Sequence, residues 1–297
     1  MSDLTYTQSV VMGLLQGVTE LFPVSSLGHS LIVPAWIGGS WERLVTESNS
    51  AGHTPFLAFL VALHVATALA LIAYYWRDWV GIVAGFIGTL RTRRIDTANG
   101  KLAWLIIIAT IPVGVVGLVA EKPLRAVFAT PLIAAIFLFV NGLVLLTAEL
   151  LRRRQVGARG RHRAEGDACG GDIESLRYAD GALIGGFQIL ALLPGISRSG
   201  ATISGGILRG LDHEDSAKFA FLLATPVILA AGVLKIPELF GPEGSGIGGQ
   251  VVVGSICAFV AAFGAVAFLA RFFRTRSLYP FVAYCLVAGG ISIALFA

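Results

Sequence analysis

The chain has 297 residues, of which 56% are hydrophobic and only 13% charged, where soluble domains carry about 25% charged residues. With a mean hydropathy of +0.79, this composition describes a polytopic membrane protein and excludes a large soluble domain. A net charge of +4 gives no case for nucleic acid, because membrane topology explains its distribution better. Three cysteines form no disulfide framework: Cys257 and Cys285 fall in apolar runs and Cys169 in a polar loop. There is no CxxC or Cys/His cluster, so zinc is not expected. Nor is a signal peptide, since the first apolar run lacks a basic flank and is interrupted by Glu20 and Pro23.

In chain order, the first element is apolar from Leu4 to Ile37 but broken by Pro, Ser, Gly and His at Pro23–Ser30. Each arm is short for a full span, so a re-entrant helical hairpin is expected, its irregular backbone covered by protein or water. Spans follow at Phe56–Trp76, Leu102–Ala120 and Pro131–Leu151. Between the first two, Trp76 and Trp79 mark an interface, and Val80–Leu90 is too short to cross. Arg152–Arg177 is a basic, Gly-rich loop that reads either as an anionic-lipid binder or as a flexible topology-setting connection. A second re-entrant hairpin is expected over Gly181–Leu211, broken at Pro194–Gly200, and three more spans at Ser216–Ile236, Val251–Ala270 and Leu278–Phe296. Pro112 and Pro226 sit inside spans, where neighbouring helices re-satisfy the freed carbonyls.

The predicted fold is therefore an all-α polytopic membrane protein with six transmembrane helices and two re-entrant hairpins. Residues 1–151 form a first repeat (hairpin about 4–37), 152–178 the basic loop, and 179–297 a second repeat (hairpin about 181–211). Three spans per half is an odd number, so the halves are oppositely oriented. Such inverted-topology repeats place their sites at the midplane between broken helices. Loop charge gives the orientation: of 22 Lys and Arg, 17 fall in residues 77–101, 152–178, 209–218 and 271–276, which this topology puts on one side. The positive-inside rule makes that side cytoplasmic and leaves both termini outside.

Two constellations carry chemistry. Gln16 and Glu20 lie one helical turn apart on one face, where they suit a divalent cation, an oriented water or a general base. The alternative is a hydrogen-bonded structural Glu at a helix end. Ser25, Ser26 and His29 follow. They suit a Ser nucleophile with a His or Glu base, while Ser25 or Ser26 also fits a helix N-cap that aims free N–H groups at an anion. The second constellation is Pro194-Gly195-Ile196-Ser197-Arg198-Ser199-Gly200-Ala201-Thr202. Arg198 has no carboxylate near it in sequence, so its partner is a residue brought by the fold, such as Glu20, or a ligand. With Ser197, Ser199 and Thr202 beside it, and Gly195 and Gly200 admitting a bulky group, the stretch suits phosphate. His64, Thr110, Asn141 and Gln188 are expected to be interhelical hydrogen-bond glue, worth about 0.6 kcal/mol each.

These motifs resemble those of the undecaprenyl-diphosphatase family BacA/UppP, the bacitracin resistance proteins. The resemblance covers Gln16…Glu20, Pro23-Val24-Ser25-Ser26-Leu27-Gly28-His29 and Pro194 through Thr202, with Thr110-Ile111-Pro112 and Lys218-Phe219-Ala220-Phe221 also similar. It implies removal of the terminal phosphate of undecaprenyl diphosphate to regenerate the monophosphate lipid carrier for the cell wall. It also implies bacitracin resistance, a plasma-membrane location with the site opening outward, and a divalent cation, Mg2+ or Ca2+, held by Glu20 and Gln16. Gln16 stands where many members have Glu, so it is no base. Leu27 replaces a small polar residue, so no third hydroxyl follows Ser26. The implied roles are Arg198, Ser197, Ser199, Thr202, Gly195 and Ser25 on the phosphates, Ser26 or a water as nucleophile, Glu20 on the cation or the proton, and His29 as base or acid. The expected partners are undecaprenyl diphosphate and membrane lipids, with no nucleic acid and a homodimer left open. The rival readings are a polyprenyl-phosphate transporter of the same architecture and a phosphatase for another lipid phosphate.

Overall fold

A computed structural model describes residues 4–42, 44, 55–128, 130–159, 172–239 and 246–297. Every regular element among them is helical: α1 (Tyr6–Leu21), α2 (Ser26–Ile37), α3 (Pro55–Tyr74), α4 (Trp76–Thr92), α5 (Ala98–Phe128), α6 (Pro131–Arg159), α7 (Tyr178–Phe187), α8 (Arg198–Leu208), α9 (His213–Leu239), α10 (Gly248–Phe272) and α11 (Tyr279–Phe296). Short 3-10 turns lie at Ile173–Ser175 and Gln188–Leu192. Six helices, α3, α5, α6, α9, α10 and α11, are long and apolar enough to cross a membrane. The chain is an all-α polytopic membrane protein.

Both interrupted stretches form pairs of short helices. Thr5 caps α1 reciprocally with Gln8, and Pro23 follows its end. In the second pair the first arm begins at Tyr178, earlier than the expected Gly181, and tightens into the 3-10 turn before Pro194. The fourth helix, expected only over Val80–Leu90, runs as α4 from Trp76 to Thr92 and packs on α5. Cys169 and the middle of the basic loop, 160–171, lie outside the described residues, as does Arg43.

The helix contacts come in pairs that exchange the halves. α1 packs on α10 as α7 packs on α5, and α1 meets α2 as α7 meets α8. α3 against α9 and α6 against α11 join the halves at the centre. Close approach sets the first pairing: a side chain at Gly17 would collide with the Ala258 carbonyl of α10, and one at Gly185 with the Ala109 carbonyl of α5. One pairing is broken. α6 packs along α8, but α11 barely touches α2.

Polar contacts tie many helix ends together at one end of the bundle. Lys101 Nζ donates to the Glu174 carbonyl at 2.5 Å, and Arg209 pairs with Asp180. Lys218 lies 2.7 Å from Asp78, and Arg274 donates to Glu214 at 3.0 Å. Buried Glu149 meets His213 Nε2 at 2.8 Å and accepts the Leu278 N–H at 3.5 Å.

Candidate active site

The two interrupted pairs meet through their turns, and α6 holds them together. Asn141 Nδ2 donates to the Pro23 carbonyl at 2.9 Å, while its Oδ1 accepts the Ser197 N–H at 3.0 Å. One buried amide thus closes both turns. Gly195 has φ +108°, a left-handed region open to glycine. A side chain there would strike the Ala134 carbonyl of α6, and one at Gly28 would meet Gly195.

The sequence around each turn builds a helix N-terminus. Ser25 is the N-cap of α2, its Oγ accepting the Gly28 N–H at 3.2 Å. Its φ of +71° is unusual for a residue with a side chain and turns Ser26 back toward α1. Ser197 caps α8 in the same way, accepting the Gly200 N–H at 3.1 Å. Two helix N-termini with their partial positive charge therefore lie side by side.

Glu20 is the centre. It is buried, and Arg198 from the other half pairs with its Oε1. Its Oε2 accepts the Ser26 hydroxyl at 2.5 Å and the Gln16 amide at 3.0 Å, and lies 3.3 Å from His64 Nε2. The Gln16 Oε1, also buried, has no hydrogen-bond partner among the described residues. His29 does not reach Ser26. Its Nδ1 faces the Ser25 carbonyl at 2.7 Å, so that nitrogen carries the proton, and its Nε2 accepts from Tyr284 Oη at 2.7 Å.

The remaining hydroxyls are engaged internally. Ser199 Oγ donates to the Phe22 carbonyl at 3.1 Å and lies 3.0 Å from Ser197 Oγ. Thr202 Oγ1 donates to the Arg198 carbonyl at 2.8 Å. These three side chains lock the turn and the first turn of α8 in place.

Residues 9–291 match the family model described as bacitracin resistance protein BacA. The chain belongs to the BacA family. It is 55% identical to an undecaprenyl-diphosphatase of Mycolicibacterium paratuberculosis, over 98% of this chain and 97% of that relative. An undecaprenyl-diphosphatase 2 of Frankia alni is 49% identical, over 100% and 99% of the two chains. One from Acidiphilium cryptum is 43% identical, over 97% and 96%. The BacA family is the one to which the Gln16–His29 and Pro194–Thr202 motifs pointed.

Within this BacA protein, Gln16, Glu20, Ser26 and Arg198 come together as one hydrogen-bonded group, with Ser25 and Ser197 capping the helices beside it. Three further residues join the site. His64 and Asn141, expected only as glue between helices, touch the central carboxylate and both turns respectively. Tyr284 carried no sequence signal, because its partner His29 is 255 positions away. Thr110 bonds within its own helix, to the Ile106 carbonyl at 2.8 Å, and neither amide atom of Gln188 has a hydrogen-bond partner.

Proposed function

We propose that this protein is an undecaprenyl-diphosphatase that releases the terminal phosphate of undecaprenyl diphosphate and returns the monophosphate carrier, so that its overproduction confers bacitracin resistance. One observation carries the reading. Glu20, Ser26 and Arg198, drawn from two motifs 178 positions apart, meet in a single hydrogen-bonded cluster between two helix N-termini.

The chemistry follows from the donors and acceptors. Arg198 presents five N–H donors in a fork, so one side stays on Glu20 while the other takes phosphate oxygens, helped by the N-termini of α2 and α8. Ser26 Oγ attacks the terminal phosphorus as its proton passes to Glu20 Oε2. The bridging P–O bond breaks, and undecaprenyl monophosphate leaves with the electron pair. Water then attacks the phosphoserine, the Ser26 Oγ–P bond breaks, Glu20 returns the proton to Ser26 Oγ, and inorganic phosphate departs carrying both protons of the water, as H2PO4−. Phosphoryl transfer of this kind depends on positioning and on charge stabilisation. His29 holds the Ser25 carbonyl and hence the backbone that aims Ser26.

A divalent cation, Mg2+ or Ca2+, fits the donor set. The unpaired Gln16 Oε1 and the Glu20 carboxylate are hard oxygen ligands. Among the described residues no three His, Cys, Asp or Glu converge on a point, so the ion's remaining ligands would have to come from substrate oxygens and water. When bound, it would offset negative charge on the diphosphate. We assign the protein to the plasma membrane, with the two short-helix pairs re-entering from opposite faces, both termini outside and the site opening outward. The loop charge supports this orientation.

The test is phosphate release from undecaprenyl diphosphate by the purified protein with Mg2+ or Ca2+. Release should occur and fall by about 10³-fold or more in Arg198→Ala, Glu20→Ala and Ser26→Ala. Lipid movement in proteoliposomes without any release would overturn the enzyme in favour of a transporter.

A further inference from the structure

Most basic residues of the charged layer are engaged. Arg209 pairs with Asp180, Lys218 with Asp78 and Arg274 with Glu214, while Arg153 lies over the Tyr279 ring. Arg271 and Arg276 differ. Both are exposed, and neither has a carboxylate partner among the described residues. They stand at the mouth of a cavity of about 520 Å³ that runs along α10 and the turn after it. Its two ends differ in chemistry. Arg271, Thr275 and Arg276 line the outer end, and Gly264, Ala267 and Phe268 the inner one, about 10 Å further into the span. The apolar floor is set before anything binds. Phe268 stacks on Phe22 with centroids 5.8 Å apart and planes 3° apart, and Phe272 packs between Phe268 and Phe281, at 5.6 Å and 5.4 Å. Rings fixed in this way need no ordering on association. Beside them, a side chain at Gly264 would project into open space.

The two ends together name the occupant. Two guanidinium groups without a counter-charge, with a hydroxyl between them in sequence, suit a phosphate. The wall that continues from them into the span suits a hydrocarbon chain. A free phosphate would leave the inner end uncovered, and a zwitterionic lipid would bring a second cation to a place that already holds two. We propose that this groove on α10 binds an anionic diacyl phospholipid, its phosphodiester held by Arg271 and Arg276 and one acyl chain lying along Phe268 toward Gly264. The site is separate from the Glu20 cluster and does not depend on the phosphatase reading. In the proposed orientation it faces the cytoplasmic leaflet, whose anionic lipids are drawn to bases at the ends of spans.

Native mass spectrometry of the full-length protein, released from a neutral detergent with dioleoyl phosphatidylglycerol or dioleoyl phosphatidylcholine added, tests the site. One phosphatidylglycerol should be retained at about tenfold lower lipid concentration than phosphatidylcholine. Arg271→Gln combined with Arg276→Gln should abolish that preference. Arg93→Gln combined with Arg94→Gln, at exposed bases just beyond α4, should keep it. Gly264→Trp leaves both charges in place and fills the inner end, so it should weaken phosphatidylglycerol retention severalfold. Equal retention of the two lipids by the unaltered protein, or equal loss in the two arginine pairs, would overturn the site. So would a Gly264→Trp protein that retains phosphatidylglycerol as the unaltered one does, because surface charge alone would then be at work. Displacement of the lipid by inorganic phosphate would reassign the arginines to a free anion. Stronger retention of undecaprenyl monophosphate than of phosphatidylglycerol, lost in the Arg271/Arg276 double variant, would reassign the groove to the carrier lipid. Either result would overturn the proposal. The thermal midpoint in the same detergent shows whether the double variant is folded; if it is not, Gly264→Trp, which removes no charge, decides by itself.

Discussion

Glu20 is a carboxylate with almost no exposed surface, held between a guanidinium on one oxygen and Ser26, Gln16 and His64 on the other. Removing one partner of such a buried pair leaves an uncompensated charge and costs about 3–5 kcal/mol, whereas replacing both with apolar groups is often neutral. Stability and catalysis can therefore be separated. Arg198→Met alone should lower the thermal midpoint in detergent and abolish phosphate release. Adding Glu20→Leu should recover most of the midpoint and none of the activity. If the double variant is as unstable as the single one, the pair is not the source of the loss. Gln16, Glu20, Ser26 and Arg198 were legible in the sequence because short motifs announce residues that share a turn or a helix face. His64 and Tyr284 were not, because each meets its partner only after distant helices pack, and a lone His or Tyr in an apolar run looks like any other.

At the level of elements, hydropathy located all six long helices, since each needs a continuous apolar stretch to be soluble in lipid. It placed their ends less well. Helices run past the apolar window wherever polar residues still favour helix, as α6 does to Arg159. The 3-10 turn at Gln188–Leu192 left no pattern in the sequence at all. Asn141 shows why a polar residue in a span matters more than its type suggests: it serves two turns at once, one from each half. Asn141→Leu keeps the volume but strands the Ser197 N–H, at about 1–3 kcal/mol for an unsatisfied group, and leaves the Pro23 carbonyl only the Cys285 thiol at 3.8 Å. The thermal midpoint should fall, and kcat should fall further than stability alone explains, because both turns shift relative to Glu20. A variant with normal kcat would show that α6 only packs behind the site and does not register its halves.

At the level of the whole molecule, the proposed orientation rests on charge and packing together. The contacts of Lys101, Arg209, Lys218 and Arg274, with that of Glu149 to the Leu278 N–H, link the beginnings of α4, α5, α7, α9 and α11 to the ends of α8 and α10 in one layer. Basic residues that the sequence scatters over three of the four basic stretches thus lie on one face of the bundle. In the orientation proposed above, that face is the cytoplasmic one, as the positive-inside rule expects. In the proposed topology, with six long helices among the described residues and both short-helix pairs re-entrant, the C-terminus returns to the side on which the chain began. Alkaline phosphatase fused after Ala297 should be active and a fluorescent protein fused there dark, since each folds on only one side of the membrane. Replacing Arg271, Arg274 and Arg276 with Gln should weaken this bias, because they flank the last pair of long helices, and some of the fluorescent fusion should become bright. A bright fusion on the unaltered chain would reverse the orientation and turn the site toward the opposite leaflet.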